Sequence, residues 1–316
     1  MSDVELSLRF SGNNQVNVSF DGTGSGALPF ANPLTAKDRD SIRWYIETYS
    51  AHSLDAPDDQ EAKRIEARLV EIGKDLFKAV FSSGEASERF YDFRKSEAEQ
   101  RVLTIDAQDA SILSIPWELL HDPKGVFLVR ERPHISIRRK ISGATGGRPP
   151  FPIKAKDRLH LLFVVSRPKD GGFIDPRADP KAVIEALEEH APGRVTYEFL
   201  RPATLNALVE RLDDKSKPPV DILHFDGHGT FREVSEKQAK EAPELYGKSI
   251  LSEIHREHQL RGDPSTDKPV GIGFLVFEKE DGSVHLVSAA DLGDNLFRSR
   301  VMLVVLSACQ TAKMDG

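Results

Sequence analysis

The sequence predicts an α/β protein: a parallel-rich sheet with helices on both faces, preceded by a smaller α+β region. Two observations carry this. From residue 157 onward, short apolar runs alternate with amphipathic stretches. The runs LHLLFVV (159–165), VDILHF (220–225) and VMLVVL (301–306) are too continuously apolar to have one face in water. Strands of that kind belong in a parallel sheet sandwiched between helices.

The N-terminal region opens differently. Glu5–Phe10 and Gln15–Phe20 alternate apolar and polar residues around SGNN, a hairpin signal, and the Gly-rich DGTGSG follows. Thr35–Tyr49 reads as a helix. So does Gln60–Phe81, where Ile65, Leu69, Ile72, Leu76 and Val80 recur at helical spacing. A third helix spans Ala86–Phe93. Strands at Arg101–Asp106 and His134–Arg139 close the region, and between them lies IPWELLHDPKGVFLV. Trp117, Leu119 and Leu120 are expected to pack this region onto the sheet. The Gly and Pro content of SGATGGRPPFP (142–152) marks a linker. The expected organisation is therefore 1–142, a linker over 143–156, and 157–316.

In the second region, helices are expected at Lys181–His190 and at Thr204–Leu212, the latter with Thr204 as N-cap. Val195–Leu200 is a strand. The charged stretch 231–269 breaks the alternation and reads as a partly helical surface insertion. Gly271–Glu278 and Ser283–Val287 form a hairpin around EKEDG. Ser288 caps a following helix, with Asp291 three residues on. No internal repeat is present.

Composition narrows the function. Across 316 residues, 39% are hydrophobic and 29% charged, the balance of a globular chain rather than a disordered one. A formal net charge of -7 argues against general nucleic-acid binding, which needs a basic stripe. No run approaches the ~18 apolar residues of a membrane span. The start MSDVELSLRF lacks a signal-peptide layout, so a cytoplasmic location is expected. The single cysteine, Cys309, excludes an intramolecular disulfide and a thiolate zinc cluster.

In open α/β sheets, ligands sit beyond the carboxyl ends of the strands. Two strands end unusually here. VDILHF runs into Asp226-Gly227-His228-Gly229, and VMLVVL runs into Ser307-Ala308-Cys309. If these strands are neighbours, His228 and Cys309 emerge side by side. A free thiol titrates near about 8.5, so a neighbouring imidazole is what turns it into a nucleophile. The backbone N–H groups of Gly229 and Cys309 are placed to meet a developing oxyanion. Asp226 and Ser307 are candidates for the substrate pocket.

Taken singly, a histidine at a strand end is most often satisfied by a carbonyl, and a lone cysteine is most often core packing. Two strand-end placements, paired glycines and the lack of any other cysteine outweigh those defaults together. A metal site at His224, Asp226 and His228 is not expected: spacing of four suits a helix, and a third ligand is lacking. No metal and no cofactor is called for. A nucleotide site is weak, because GIG at 271–273 lacks the strand–GxGxxG–helix setting and no GxxxxGK[ST] occurs.

HFDGHG at 224–229 and LSACQTA at 306–312 resemble the two signatures of the CHAT family, relatives of caspases and separases. SIPWELLHD at 114–122, HISIRRK at 134–140 and Arg43-Trp44-Tyr45 extend the resemblance over nearly the whole chain. It implies a caspase-like sheet with the catalytic His at His228 and the catalytic Cys at Cys309. It also implies cysteine endopeptidase activity on a protein or peptide, often gated by a sensor or activator. Roles in bacterial defence and programmed death go with such proteins. Family members continue with further strands after the nucleophile, whereas this sequence ends at Gly316. Truncation, processing into two chains and a naturally short inactive protein are all open. The sheet is therefore expected to be incomplete, with a C-terminal segment or second chain pairing with the 301–306 strand. The alternative function is a non-catalytic docking or regulatory module of a larger protein.

Overall fold

The computed structural model describes residues 4–11, 14–49, 56–98, 100–141, 155–246, 249–261 and 268–308. The chain falls into two compact units, 1–150 and 151–316.

The first unit carries strands β1 (Val4–Ser11), β2 (Gln15–Phe20), β3 (Thr23–Gly24), β4 (Leu28–Pro29), β5 (Arg101–Ala107) and β6 (Ile135–Ile141) in one sheet of order β3-β2-β1-β5-β6, with β4 beside β2. β1 and β2 form the expected hairpin, while β5 runs parallel to both β1 and β6. Its helices are α1 (Ala36–Arg43), α2 (Ala56–Phe81), α3 (Gly84–Lys95) and the single turn α4 (Ala110–Leu113). Thr35 and Asp38 satisfy each other's backbone N–H in a capping box that starts α1. The helix expected through Tyr49 changes at Trp44–Tyr49 into a wider π-helical turn.

Alternate residues of the hairpin, Leu6, Leu8, Phe10, Val16 and Val18, are buried against Ile72 and Leu76 of α2 and Phe90 and Phe93 of α3. Trp117 stands 5.4 Å from the Phe10 ring and 5.9 Å from Phe30, and its indole N–H donates to Ile112 O. Trp117 and Leu120 thus belong to the first unit's core, with Leu119 packed against it. α2 approaches this segment at Gly73, where a Cβ would lie 2.0 Å from Leu119 O. Only glycine permits that approach.

In the second unit, β7 (Leu159–Val165), β8 (Val195–Phe199), β9 (Ile222–Asp226) and β13 (Leu303–Ser307) form an all-parallel sheet of order β13-β9-β7-β8. Helix α5 (Ala178–His190) links β7 to β8 and covers the face of Leu161, Phe163 and Val165. Helix α6 (Leu205–Asp213) links β8 to β9 on the opposite face, with Leu162, Val164 and Leu223. Reversing direction across the sheet moves the covering helix to the other side, as right-handed crossovers require. The reversal lies between β7 and β9. Thr204 caps α6 as expected, accepting from Ala207 N–H.

Three further strands, β10 (Gly229–Val234), β11 (Val270–Glu278) and β12 (Val284–Ser288), form a separate antiparallel sheet. Helices α7 (Glu236–Glu241), α8 (Pro243–Tyr246) and α9 (Ile250–Arg261) follow β10, and α10 (Ala289–Arg298) leads from β12 to β13. The stretch 231–269 is partly helical as expected, but its described residues are not merely a surface insertion. Val234, Ala239, Tyr246, Ile250 and Ile254 are buried with Ile272, Phe274 and Leu286 in a core of their own. The charged residues misled because they occupy the wet faces of short amphipathic elements. β13 is an edge strand among the described residues, as expected for a sheet left open at 301–306, and its Leu303, Val305 and Leu306 are exposed. No described helix is long and apolar enough to cross a membrane.

Candidate functional site

β7, β9 and β13 all deliver their carboxyl ends to one edge of the parallel sheet, and the crevice between β7 and β9 is where the strand order reverses. At that edge β9 runs out through Asp226 into Gly227 and His228, and Gly229 begins β10. Gly227 is required by space. Its N–H donates to Ser307 O of β13, and a Cβ there would lie 2.9 Å from the Phe225 ring.

His228 is 7% exposed. Its Nε2 lies 2.6 Å from the carbonyl oxygen of Gly172, on the loop after β7. A carbonyl can only accept, so Nε2 carries the hydrogen and, in the neutral ring, Nδ1 carries the lone pair. Nδ1 is buried and has no hydrogen-bond partner among the described residues. A buried basic nitrogen left open is costly unless something is meant to meet it. The loop lies against the ring: a Cβ built on Gly171 or Gly172 would stand in ordinary van der Waals contact with an imidazole carbon, at 3.5 and 3.4 Å.

The backbone around Gly229 is oriented by β11. Val276 N–H donates to His228 O, which makes residues 228 and 276 a hydrogen-bonded pair. The next pair, Gly229 and Leu275, is then a non-hydrogen-bonded one, and the Gly229 N–H turns away from β11.

Asp226 and Ser307 face each other in register across β9 and β13. The Asp226 carboxylate is buried and sits 2.8 Å from Arg167 Nη2. The Ser307 hydroxyl donates to the Asp179 carboxylate in the first turn of α5. Asp226, His228, Gly229 and Ser307 are thus brought to one edge. Cys309 lies outside the described residues.

His224, two residues before Asp226, packs 5.3 Å from the Phe163 ring, and burial pushes its imidazole below the usual histidine range. No group of three or more metal-ligating side chains occurs among the described residues.

Sequence reasoning missed Arg167, Gly172 and Asp179. A signal for the first two was present. LHLLFVV is followed by SRPKDGG, a strand end with an arginine and paired glycines, and the carboxyl-end rule applies to it as it does to β9 and β13.

No curated protein and no solved structure matches the chain. A family model described as the CHAT domain matches residues 70–316, which bears out the resemblance carried by HFDGHG and LSACQTA. The match takes in most of the chain and its whole second unit: the protein belongs to the CHAT-domain family, relatives of the caspase-like peptidases.

Proposed function

We propose that the protein is a cysteine endopeptidase in which Cys309 is the nucleophile and His228 the general base and acid. The observation that carries this is the state of His228: Nε2–H held by Gly172 O, and Nδ1 buried with its lone pair unmet. Every registered pair of β9 and β13, from Ile222–Leu303 to Asp226–Ser307, has the sequence offset that separates His228 from Cys309.

The chemistry then runs in balanced steps. Nδ1 takes the thiol proton and the thiolate adds to the scissile carbonyl. The Gly229 and Cys309 amides hold the oxyanion. Collapse breaks the C–N bond, and the leaving amine takes the proton back from Nδ1. Water, deprotonated by the same nitrogen, adds to the thioester carbonyl; the C–S bond breaks, the Cys309 thiolate takes the proton back from Nδ1, and the carboxylic product leaves. Throughout, the Nε2–H bond to Gly172 O keeps the ring in place. Ser307 borders the substrate pocket, while Asp226, sealed by Arg167, acts as an anchor behind it.

The exposed apolar edge of β13 is the place for a further strand, from a C-terminal segment or a second chain. Gating by a sensor or activator, a cytoplasmic location and a role in bacterial defence or programmed death agree with the family relationship.

A cleavage screen tests this. The protein is incubated with a denatured proteome digest, beside a Cys309→Ala control, and new termini are identified by mass spectrometry. Termini that vanish in the control establish the peptidase and give its P1 preference. Identical termini in both samples contradict the assignment. No termini in either, with and without added C-terminal sequence, favours a non-catalytic docking module.

A further inference from the structure

We infer that Arg167 is a positioning residue for His228, acting through the loop that carries Gly172. The inference deepens the peptidase proposal and rests on it for the catalytic consequence.

Arg167 is the second residue after β7, and its side chain is largely buried. A guanidinium has five N–H donors, and all five are used. Nε donates to Ile174 O at 2.9 Å. Nη1 donates to Ser166 O at 2.7 Å and to Asp226 O at 2.8 Å. Nη2 donates to Asp175 O at 3.3 Å and to the Asp226 carboxylate at 2.8 Å. One planar group therefore ties together the end of β7, the end of β9 and the returning part of the loop at 174–175.

Gly172 lies inside that loop. On its N-terminal side the loop is fixed by the β11–β12 hairpin: Lys169 N–H donates to Gly282 O, and Val284 N–H donates to the Asp170 carboxylate. On its C-terminal side the described anchors are the two carbonyls bound by Arg167. Gly171 and Gly172 have no side chains to hold the chain between those points. The position of the Gly172 carbonyl, and with it the hydrogen on Nε2 of His228, depends on both anchors. Asp226 supplies the reason for an arginine here: it is two residues before His228 and would be a bare buried carboxylate otherwise.

Lysine separates charge from geometry. Its ammonium can still neutralise Asp226, but three donors on a flexible stem cannot reproduce the fork. Arg167→Lys is expected to fold and to lower kcat by about 10- to 100-fold with KM little changed, because misplacing a catalytic group costs that much. The decisive readout needs no turnover. In ¹⁵N NMR spectra of His-labelled protein, wild-type His228 should show a protonated Nε2 and an unprotonated Nδ1. In Arg167→Lys the two nitrogens should converge towards a tautomer mixture. If Arg167→Lys keeps the wild-type tautomer and kcat, the positioning role is overturned while the peptidase proposal stands. If no variant, wild type included, cleaves peptide yet the tautomer still shifts, Arg167 positions His228 and the peptidase reading fails.

Discussion

Each unit buries an aspartate near the carboxyl end of a parallel strand, Asp106 on β5 and Asp226 on β9, and the two are neutralised in different ways. Asp106 is met by Arg9 of β1 at 3.4 Å and Lys140 of β6 at 3.5 Å, both on exposed side chains of adjacent strands. Those cations do nothing beyond the sheet that the described contacts record. Asp226 is met by a single buried arginine, whose other donors hold a loop against the residue two positions further on. A carboxylate at a strand end is thus an ordinary sheet fastening in one unit and the base of a candidate site in the other. The difference lies in what else the cation grips.

The strongest way to break the comparison is to remove what the second arrangement serves. His228→Ala should lower kcat/KM for peptide cleavage by at least about 10³-fold with the fold kept, as circular dichroism would verify, because it removes the only general base proposed. Retained turnover would reduce Asp226 to another fastening.

Next come the cations. Arg167→Ala leaves Asp226 buried without a counter-charge, and about 3–5 kcal/mol of local stability should go, read as lost hydrogen-exchange protection at the ends of β7 and β9. Arg9→Ala leaves Lys140 beside Asp106 and should cost less than about 1 kcal/mol. Both tryptophans, Trp44 and Trp117, belong to the first unit, so tryptophan fluorescence during urea unfolding reads Arg9→Ala directly. Equal costs for the two substitutions would erase the distinction.

The smallest effect sharpens the first unit alone. Arg68 donates to Asp38 at 2.8 Å, and this bond, opposed by burial, holds the Asp38 carboxyl well below the usual carboxylate range. A depressed folded pKa contributes stability above the unfolded value near about 4, and that stability is lost as pH falls through the folded value. Asp38→Asn should therefore cost about 1 kcal/mol at neutral pH, shrinking to little in acid. A cost that does not change with pH would mean that the capping geometry, not the charge, is what Asp38 supplies.

Much of this was written in the chain. Continuous apolar runs identified β7 and β9 as inner strands, and the unusual residues after β9 and β13 pointed to the site edge before any coordinates. Thr204 and Ser288 signalled helix starts because a hydroxyl before an amphipathic run has a local job, and both accept from the expected N–H groups. What stayed hidden depends on partners far away in sequence. β10 shows little as a strand because its ladder is with β11, some forty residues later, and its neighbours are charged. The open edge at β13 was expected from the family resemblance alone, since by composition an apolar strand looks the same at an edge as in the middle. Arg167 was marked only by its place after a strand end; its role stayed hidden because it bonds mainly to backbone carbonyls, and carbonyls carry no sequence signature.

Activation of Cys309 by His228 is directly measurable, because the chain has a single cysteine. The rate of alkylation by iodoacetamide would be followed from pH 5 to pH 10 in wild type and His228→Ala, using about a unit of displacement as the criterion. The wild-type thiol is expected to react with an apparent pKa well below the ordinary value of about 8.5, and to return to that value in His228→Ala. A thiol that titrates ordinarily in both proteins, or barely reacts in either, would contradict it.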